Sequence, residues 1–205
     1  QRAGHRRFVE TPVGRLLTTF LCFRPMPSQD GQRSPMGRET GLQEFVFRDG
    51  WFRTADGDKR PRLTPFEGGR IEAAEHVRYA FQPGALPADF QWLRTPQPER
   101  ILSLAARPGW LRLYGRESIG SLYEQALVAR RQTEHVYSAE VTVDTDPRDF
   151  QQMAGLVTYY NGHKFHYLYV ADDDVLGRHA GIMSCAGDQS LVIAFPDWNR
   201  HTRLR

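Results

Sequence analysis

Long apolar runs are missing from this 205-residue chain. The longest, Leu16 to Phe23, contains Thr18 and Thr19 and falls far short of the roughly 20 residues that a membrane-crossing helix needs. No membrane partner is expected. Lysine is nearly absent too: Lys59 and Lys164 stand alone, so the 27 basic residues, set against 24 acidic ones for a formal charge of +3, are almost all arginine. Arginine makes planar, two-pronged hydrogen bonds and stacks on rings, which suits ordered positions. The arginines are scattered singly apart from Arg6-Arg7 and Arg130-Arg131, so the clustered basic runs of a nucleic-acid binder are lacking. Cysteine is scarce, and Cys22 and Cys185 have none of the paired spacings of metal or redox motifs; two buried free thiols are expected. There is no starting Met and no signal-peptide pattern, and Leu191 to Phe195 and Arg203 to Arg205 read as strand material without a terminating turn. Both ends are expected to be truncations. The lack of a signal pattern favours the cytoplasm and leaves the compartment of the whole protein open.

What is present is ordinary globular composition, 40% hydrophobic and 25% charged, punctuated closely by 18 Gly and 13 Pro. Clusters at Pro25 to Pro35, Gly50, Gly57, Pro61 to Gly69, Pro83 to Pro87, Pro96 to Pro98, Pro108-Gly109 and Pro147 leave little room for long helices. Between them lie β-rich stretches: Glu44 to Phe47, Trp110 to Tyr114, Val136 to Val143 and Phe165 to Val170. The chain reads as all-β. Ile119, Leu122, Tyr123, Ala126 and Leu127 follow helical spacing, but Gly120 interrupts them, and Gly115 to Arg131 is read as a strand. Thr64 to Ala80, rich in Glu, Gly and Arg, is the best linker candidate. Of the four tryptophans, Trp51, Trp92, Trp110 and Trp198, most are expected in the core, and Tyr159 and Tyr160 must point to opposite faces of an extended strand.

Gly4-His5 and Gly37-Arg38-Glu39-Thr40 are the motifs best suited to chemistry. Each alone is weak, since a histidine after glycine is more often structural and an Arg-Glu step is usually an ion pair. Their order is more specific. Gly4-His5, Arg24-Pro25, Gly37 to Gln43 and Asp49-Gly50-Trp51 resemble the end of the catalytic domain of glycoside hydrolase family 43 β-xylosidases. Phe90 to Pro96, Pro108 to Gly115, Ala126 to Gln132 and Ala154 to Asn161 resemble that family's C-terminal concanavalin-like β-sandwich, so the resemblance covers nearly the whole chain.

The resemblance implies the remnant of a five-bladed β-propeller over residues 1–70, followed by an incomplete β-sandwich of the concanavalin or jelly-roll kind over residues 71–205. It implies removal of xylosyl units from the non-reducing ends of xylo-oligosaccharides by inverting hydrolysis, with arabinosyl-substituted substrates as a second possibility. In that mechanism one carboxylate activates water, a second protonates the leaving oxygen and a third aspartate tunes the acid. None of Glu10, Asp30, Glu39, Glu44, Asp49, Asp56 and Asp58 sits in a family catalytic motif, so no catalytic residue is assigned and the chain alone is expected to be inactive. Arg38 matches the family arginine that reaches the sugar in the innermost subsite, with Glu39 and Thr40 expected to brace it. His5 matches the histidine on the propeller axis, near a calcium or other central cation of the intact enzyme, although calcium prefers oxygen ligands and no cofactor is required for hydrolysis. A homo-oligomer of the intact enzyme is a further implication. The rival reading is a non-catalytic carbohydrate-binding β-sandwich, which would have no use for the Gly4-His5 and Gly37-Arg38-Glu39-Thr40 blocks.

Overall fold

The computed structural model describes residues 4–28, 31–58, 76–187, 189–196 and 201–204. Among these, the only helical element is a single 3-10 turn, Pro98–Arg100; everything else regular is β. The described residues form two compact units, one up to Arg78 together with Gln132–His135, the other made of Tyr79–Arg131 and Val136 onward.

The first unit contains β1 (Gly4–Glu10), β2 (Leu16–Cys22), β3 (Met26–Ser28), β4 (Gly31–Arg33), β5 (Glu39–Arg48) and β6 (Trp51–Thr54). Its main sheet is antiparallel, in the order β1-β2-β5-β6. Local chemistry fixes the corners. Gly14 takes a left-handed φ of 76° in the β1-β2 turn, and Asp49 and Gly50, with φ of 53° and 74°, form the two-residue loop that pairs Arg48 with Trp51. Both loop residues at positive φ match the right-handed twist of the strands they join. Alternation along β2 turns Thr18 and Phe20 inward, where they meet Phe45 and Thr54 in the buried set. Phe20 faces Gly41 across β2 and β5. A Cβ on Gly41 would lie 2.5 Å from Phe20 Cζ, so the missing side chain is what leaves room for the tip of this ring against the neighbouring strand.

The second unit contains β7 (Phe90–Trp92), β8 (Leu102–Ser103), β9 (Arg112–Leu113), β10 (Val128–Arg130), β11 (Val141–Asp144), β12 (Ala154–Asn161), β13 (Lys164–Asp173), β14 (Gly177–Ala186), β15 (Gln189–Pro196) and β16 (His201–Leu204). Short pairs β7-β10, β8-β9 and β11-β16 accompany a meander ordered β12-β13-β14-β15. Across the meander Leu156, Leu168, Ile182 and Ile193 align on one face, while Tyr159, Phe165 and Cys185 align on the other. Buried Phe165, Tyr169, Val170, Ala171 and Ala180 place the core at its centre, and Ile101 and Leu104, far earlier in the chain, are buried as well. Asp173 closes the β13-β14 turn by accepting from the Val175 and Leu176 amides at 2.8 and 2.6 Å.

Several expectations meet different outcomes. Glu44 to Phe47 lies inside β5 and Phe165 to Val170 inside β13, as read from the pattern. Gly115 to Arg131 is not a strand along its length: only Val128–Arg130 pairs, and the rest is a looped segment. Its backbone is satisfied locally, since the buried Gln125 side chain donates to the carbonyls of Ser118 and Ile119 and Ser121 N–H donates to Ser118 O at 3.0 Å. Trp51 is 71% exposed and Trp92 is exposed with its indole N–H donating to Thr95 O at 3.0 Å, so neither is core. Trp110 is half-buried beneath the Arg107 guanidinium, 4.0 Å from its ring centre, because the Pro108-Gly109 turn places it outside the two-residue β9. Trp198 lies outside the described residues, as does most of the candidate linker. The two thiols are free but half-buried rather than buried. Tyr159 is half-buried and Tyr160 is exposed, in keeping with opposite faces.

Candidate functional site

The register of the first sheet brings the two singled-out motifs to the same end of it. Gly4 pairs with Leu21, and Leu21 pairs with Thr40, so Gly4-His5 on β1 and Arg38-Glu39-Thr40 at the start of β5 flank the same stretch of β2. Two inter-strand spacings separate their backbones, about 10 Å. His5 is exposed, with a left-handed φ of 51° in the irregular pairing between Gly4 and Arg7. Such a φ is uncommon outside glycine and marks a locally constrained backbone.

Arg38 follows a tight turn. Gly37 N–H donates to Ser34 O at 3.2 Å, Pro35 occupies the second turn position and Gly37 takes a φ of 69°. The chain then enters β5, leaving Met36 buried and Arg38 exposed. An exposed guanidinium at a strand entry can offer two parallel N–H donors to vicinal hydroxyls.

Glu39, at the start of β5, is engaged by Arg24. Arg24 Nε lies 3.1 Å from each Glu39 carboxylate oxygen, and Nη2 lies 3.0 Å from Oε1. The hydrogen bond from Arg24 is the main cause that holds the Glu39 carboxyl below its ordinary range. The same guanidinium donates to the Thr133 carbonyl and reaches Glu134 Oε2 at 3.3 Å, while His135 Nε2 sits 3.3 Å from the Arg24 carbonyl. Glu134 and His135 were invisible as site neighbours in the sequence, where they lie more than 100 residues from Arg24.

A second ion pair crosses the same sheet, Arg15 Nη2 to Glu44 Oε2 at 2.7 Å, with Nε to Oε1 at 3.0 Å. It too lowers the carboxyl pKa, chiefly through the Arg15 hydrogen bond. Both glutamates have an ordinary value of 4.5 and a lowered folded value, so their pairing stabilises the first unit above that pH and is lost as pH falls through the lowered values. The urea midpoint of this unit is accordingly expected to drop slightly as pH falls from the ordinary value of 4.5 through the lowered ones, the effect being small because both pairs are solvent-accessible. The double variant Glu39→Gln with Glu44→Gln should flatten that drop; an unchanged acid limb would assign it to other carboxylates.

No group of three or more His, Cys, Asp and Glu able to hold a metal ion is present among the described residues. Calcium takes six to eight oxygen ligands, so one exposed imidazole does not make its site and these residues alone do not fit the cation. In the second unit an open groove of about 350 Å³ is lined by Tyr137, Leu156, Thr158, His166, Leu168 and Ile182, with His166 Nδ1 hydrogen-bonded to Ser184 Oγ. Among the described residues no carboxylate or arginine lines it.

An antiparallel four-stranded sheet followed by a concanavalin-like domain is the architecture of a piece of a glycoside hydrolase of the propeller-and-sandwich kind. A family model described as the beta xylosidase C-terminal concanavalin A-like domain matches residues 78–196. The chain belongs to glycoside hydrolase family 43. It is 43% identical over 174 residues to the xylosidase/arabinosidase 43B of Humicola insolens, covering 83% of this chain and 32% of that protein. Identity to the beta-xylosidase of Bacillus subtilis is 36% over 199 residues, covering 90% and 36% respectively. The crystal structure of the xylan beta-1,4-xylosidase of Bacillus halodurans matches with a TM-score of 0.84 at 32% identity, over 96% of this chain and 38% of that one. The chain therefore spans roughly a third of the length of these relatives.

Proposed function

We propose that this chain is part of a glycosidase that removes xylosyl units from the non-reducing ends of xylo-oligosaccharides by inverting hydrolysis. Arg38 binds the sugar in the innermost subsite, and the sandwich of roughly residues 71–205 is an accessory domain to the propeller part of residues 1–70. The carrying observation is that the likeness to xylosidases extends through both units, over 96% of this chain in one solved structure, rather than through the sandwich alone. A free-standing carbohydrate-binding sandwich would not need the first unit. The name of the Humicola relative adds arabinosyl linkages as a second substrate class. Glu39 and Glu44 are both tied to arginines and held ionised, which suits neither as a proton donor to a leaving oxygen. In keeping with the family resemblance, the reacting acids are assigned to sequence outside the 205 residues.

Two assays test this. The 205-residue chain is expected to give no turnover of para-nitrophenyl β-D-xyloside or para-nitrophenyl α-L-arabinofuranoside beside an active family member. Expressed with its flanking coding sequence, the protein should release xylose from xylobiose with inverted anomeric configuration, read by proton NMR of the first-formed product. Robust turnover by the isolated chain, or retention of configuration, would overturn the assignment.

A further inference from the structure

One guanidinium contacts both residues that bracket the Gly37-Arg38 step. Arg24 Nη2 lies 3.3 Å from Met36 Sδ, and the Arg24 fork grips the Glu39 carboxylate at 3.0 to 3.1 Å. Met36 is only 6% exposed, so one end of the step is fixed in the core of its unit. The other end is fixed because Glu39 opens β5, pairing with Cys22. Between them Gly37 holds a left-handed φ of 69°, so the chain turns sharply between these two anchors just before Arg38. Arg24 is in turn held from its far side by the Thr133 carbonyl and Glu134.

We propose that Arg24 is the positioning residue for Arg38: its planar fork, braced by Gln132–His135, sets the turn from which Arg38 reaches its sugar. This rests on the reading of Arg38 as a sugar-binding residue. The pairs involved are largely solvent-accessible, with 46% of the Arg24 side chain exposed, and ion pairs of that kind add little to stability. Their contribution is geometric, because a planar fork with five donors can serve a sulfur, a carboxylate and a carbonyl at once, and a lysine ammonium on its flexible stem cannot hold that arrangement.

The test uses the 205-residue chain with Arg24→Gln, Arg24→Lys and Arg38→Ala, read by hydrogen exchange, thermal unfolding and xylobiose binding. Arg24→Gln is expected to speed amide exchange in Met36–Glu39 and Gln132–His135 about tenfold, leaving β12 to β15 unchanged. Its xylobiose Kd should rise about tenfold with the melting temperature nearly unaltered, and Arg24→Lys should fail to restore it. Arg38→Ala should abolish binding while leaving the Gln132–His135 exchange rates as they were. Wild-type exchange and affinity in Arg24→Gln would overturn the role of Arg24 alone. Absence of xylobiose binding by the unsubstituted chain would overturn the role of Arg38, and with it the ligand side of the proposal. Restoration of affinity by lysine would show that charge rather than the fork sets the turn, and would overturn the positioning argument.

Discussion

Replacing Gly155 by alanine is expected to destabilise the second unit by about 3 kcal/mol, at the upper end of the usual overpacking cost. Gly155 sits on β12 opposite Tyr169 of β13. A Cβ built there would lie 2.0 Å from the Leu168 carbonyl oxygen and 2.7 Å from the Tyr169 Cα, both backbone atoms. A side chain could swing away, but backbone can relieve the overlap only by moving β13. That strand is paired along both edges, to β12 and β14, so moving it disturbs two ladders together. Gly181→Ala is the informative contrast, because its Cβ would meet the Tyr169 ring at 2.5 Å, and a ring can turn. A smaller loss, about 1 to 2 kcal/mol, is expected there. Gly162→Ala meets nothing within 4 Å and should leave stability unchanged. Calorimetry distinguishes the three, with Gly155→Ala expected to melt about 10 °C lower. Equal melting temperatures for Gly155→Ala and Gly162→Ala would refute the clash argument.

Ile101→Ala should cost nearly as much by the opposite mechanism, an unfilled space. Ile101 is fully buried, at 0% exposure. Its backbone is held on both sides: its N–H donates to Pro98 O at 2.9 Å, and its carbonyl accepts from Tyr114 N–H at 2.9 Å. A main chain pinned in this way cannot settle inward to fill the space left by the deleted carbons. The expected loss is about 3 kcal/mol, against about 1 kcal/mol for Ile101→Val, which removes a single methyl. Urea unfolding followed by tryptophan fluorescence measures both. A cost for alanine no larger than that for valine would mean that the surroundings collapse freely around this position.

The all-β class was legible because alternation is a local signal. Phe165 to Val170 shows the strand period on its own, without reference to any partner. The Gly115 to Arg131 stretch was misread for a related reason: its apolar spacing is real, but the buried Gln125 amide takes up backbone carbonyls that a strand would have offered to a ladder. No periodicity reports a side-chain hydrogen bond of that kind. The tryptophans misled because aromatic area was taken to imply burial, whereas Trp110 is covered by an arginine and Trp51 stands exposed beside a two-residue loop. Arg38 and His5 were marked by the resemblance of their blocks, and the register then placed them at one end of a sheet. Arg24 was marked only as part of an Arg-Pro block. Its partners Met36, Glu39, Thr133 and Glu134 lie from 12 to 110 residues away, at spacings that no local pattern encodes.

The Arg24 cluster also joins parts of the chain that are made at different times. The contact between Arg24 and Glu134 closes a loop of 110 residues, which in a flexible chain carries a substantial entropic cost. A ribosome makes β1 to β6 first, and these strands can pair among themselves as soon as they emerge. The fork of Arg24, however, lacks its carbonyl and second carboxylate until Glu134 has left the exit tunnel. The strand entry that carries Arg38 therefore gains these two contacts only after the chain has been made at least as far as Glu134.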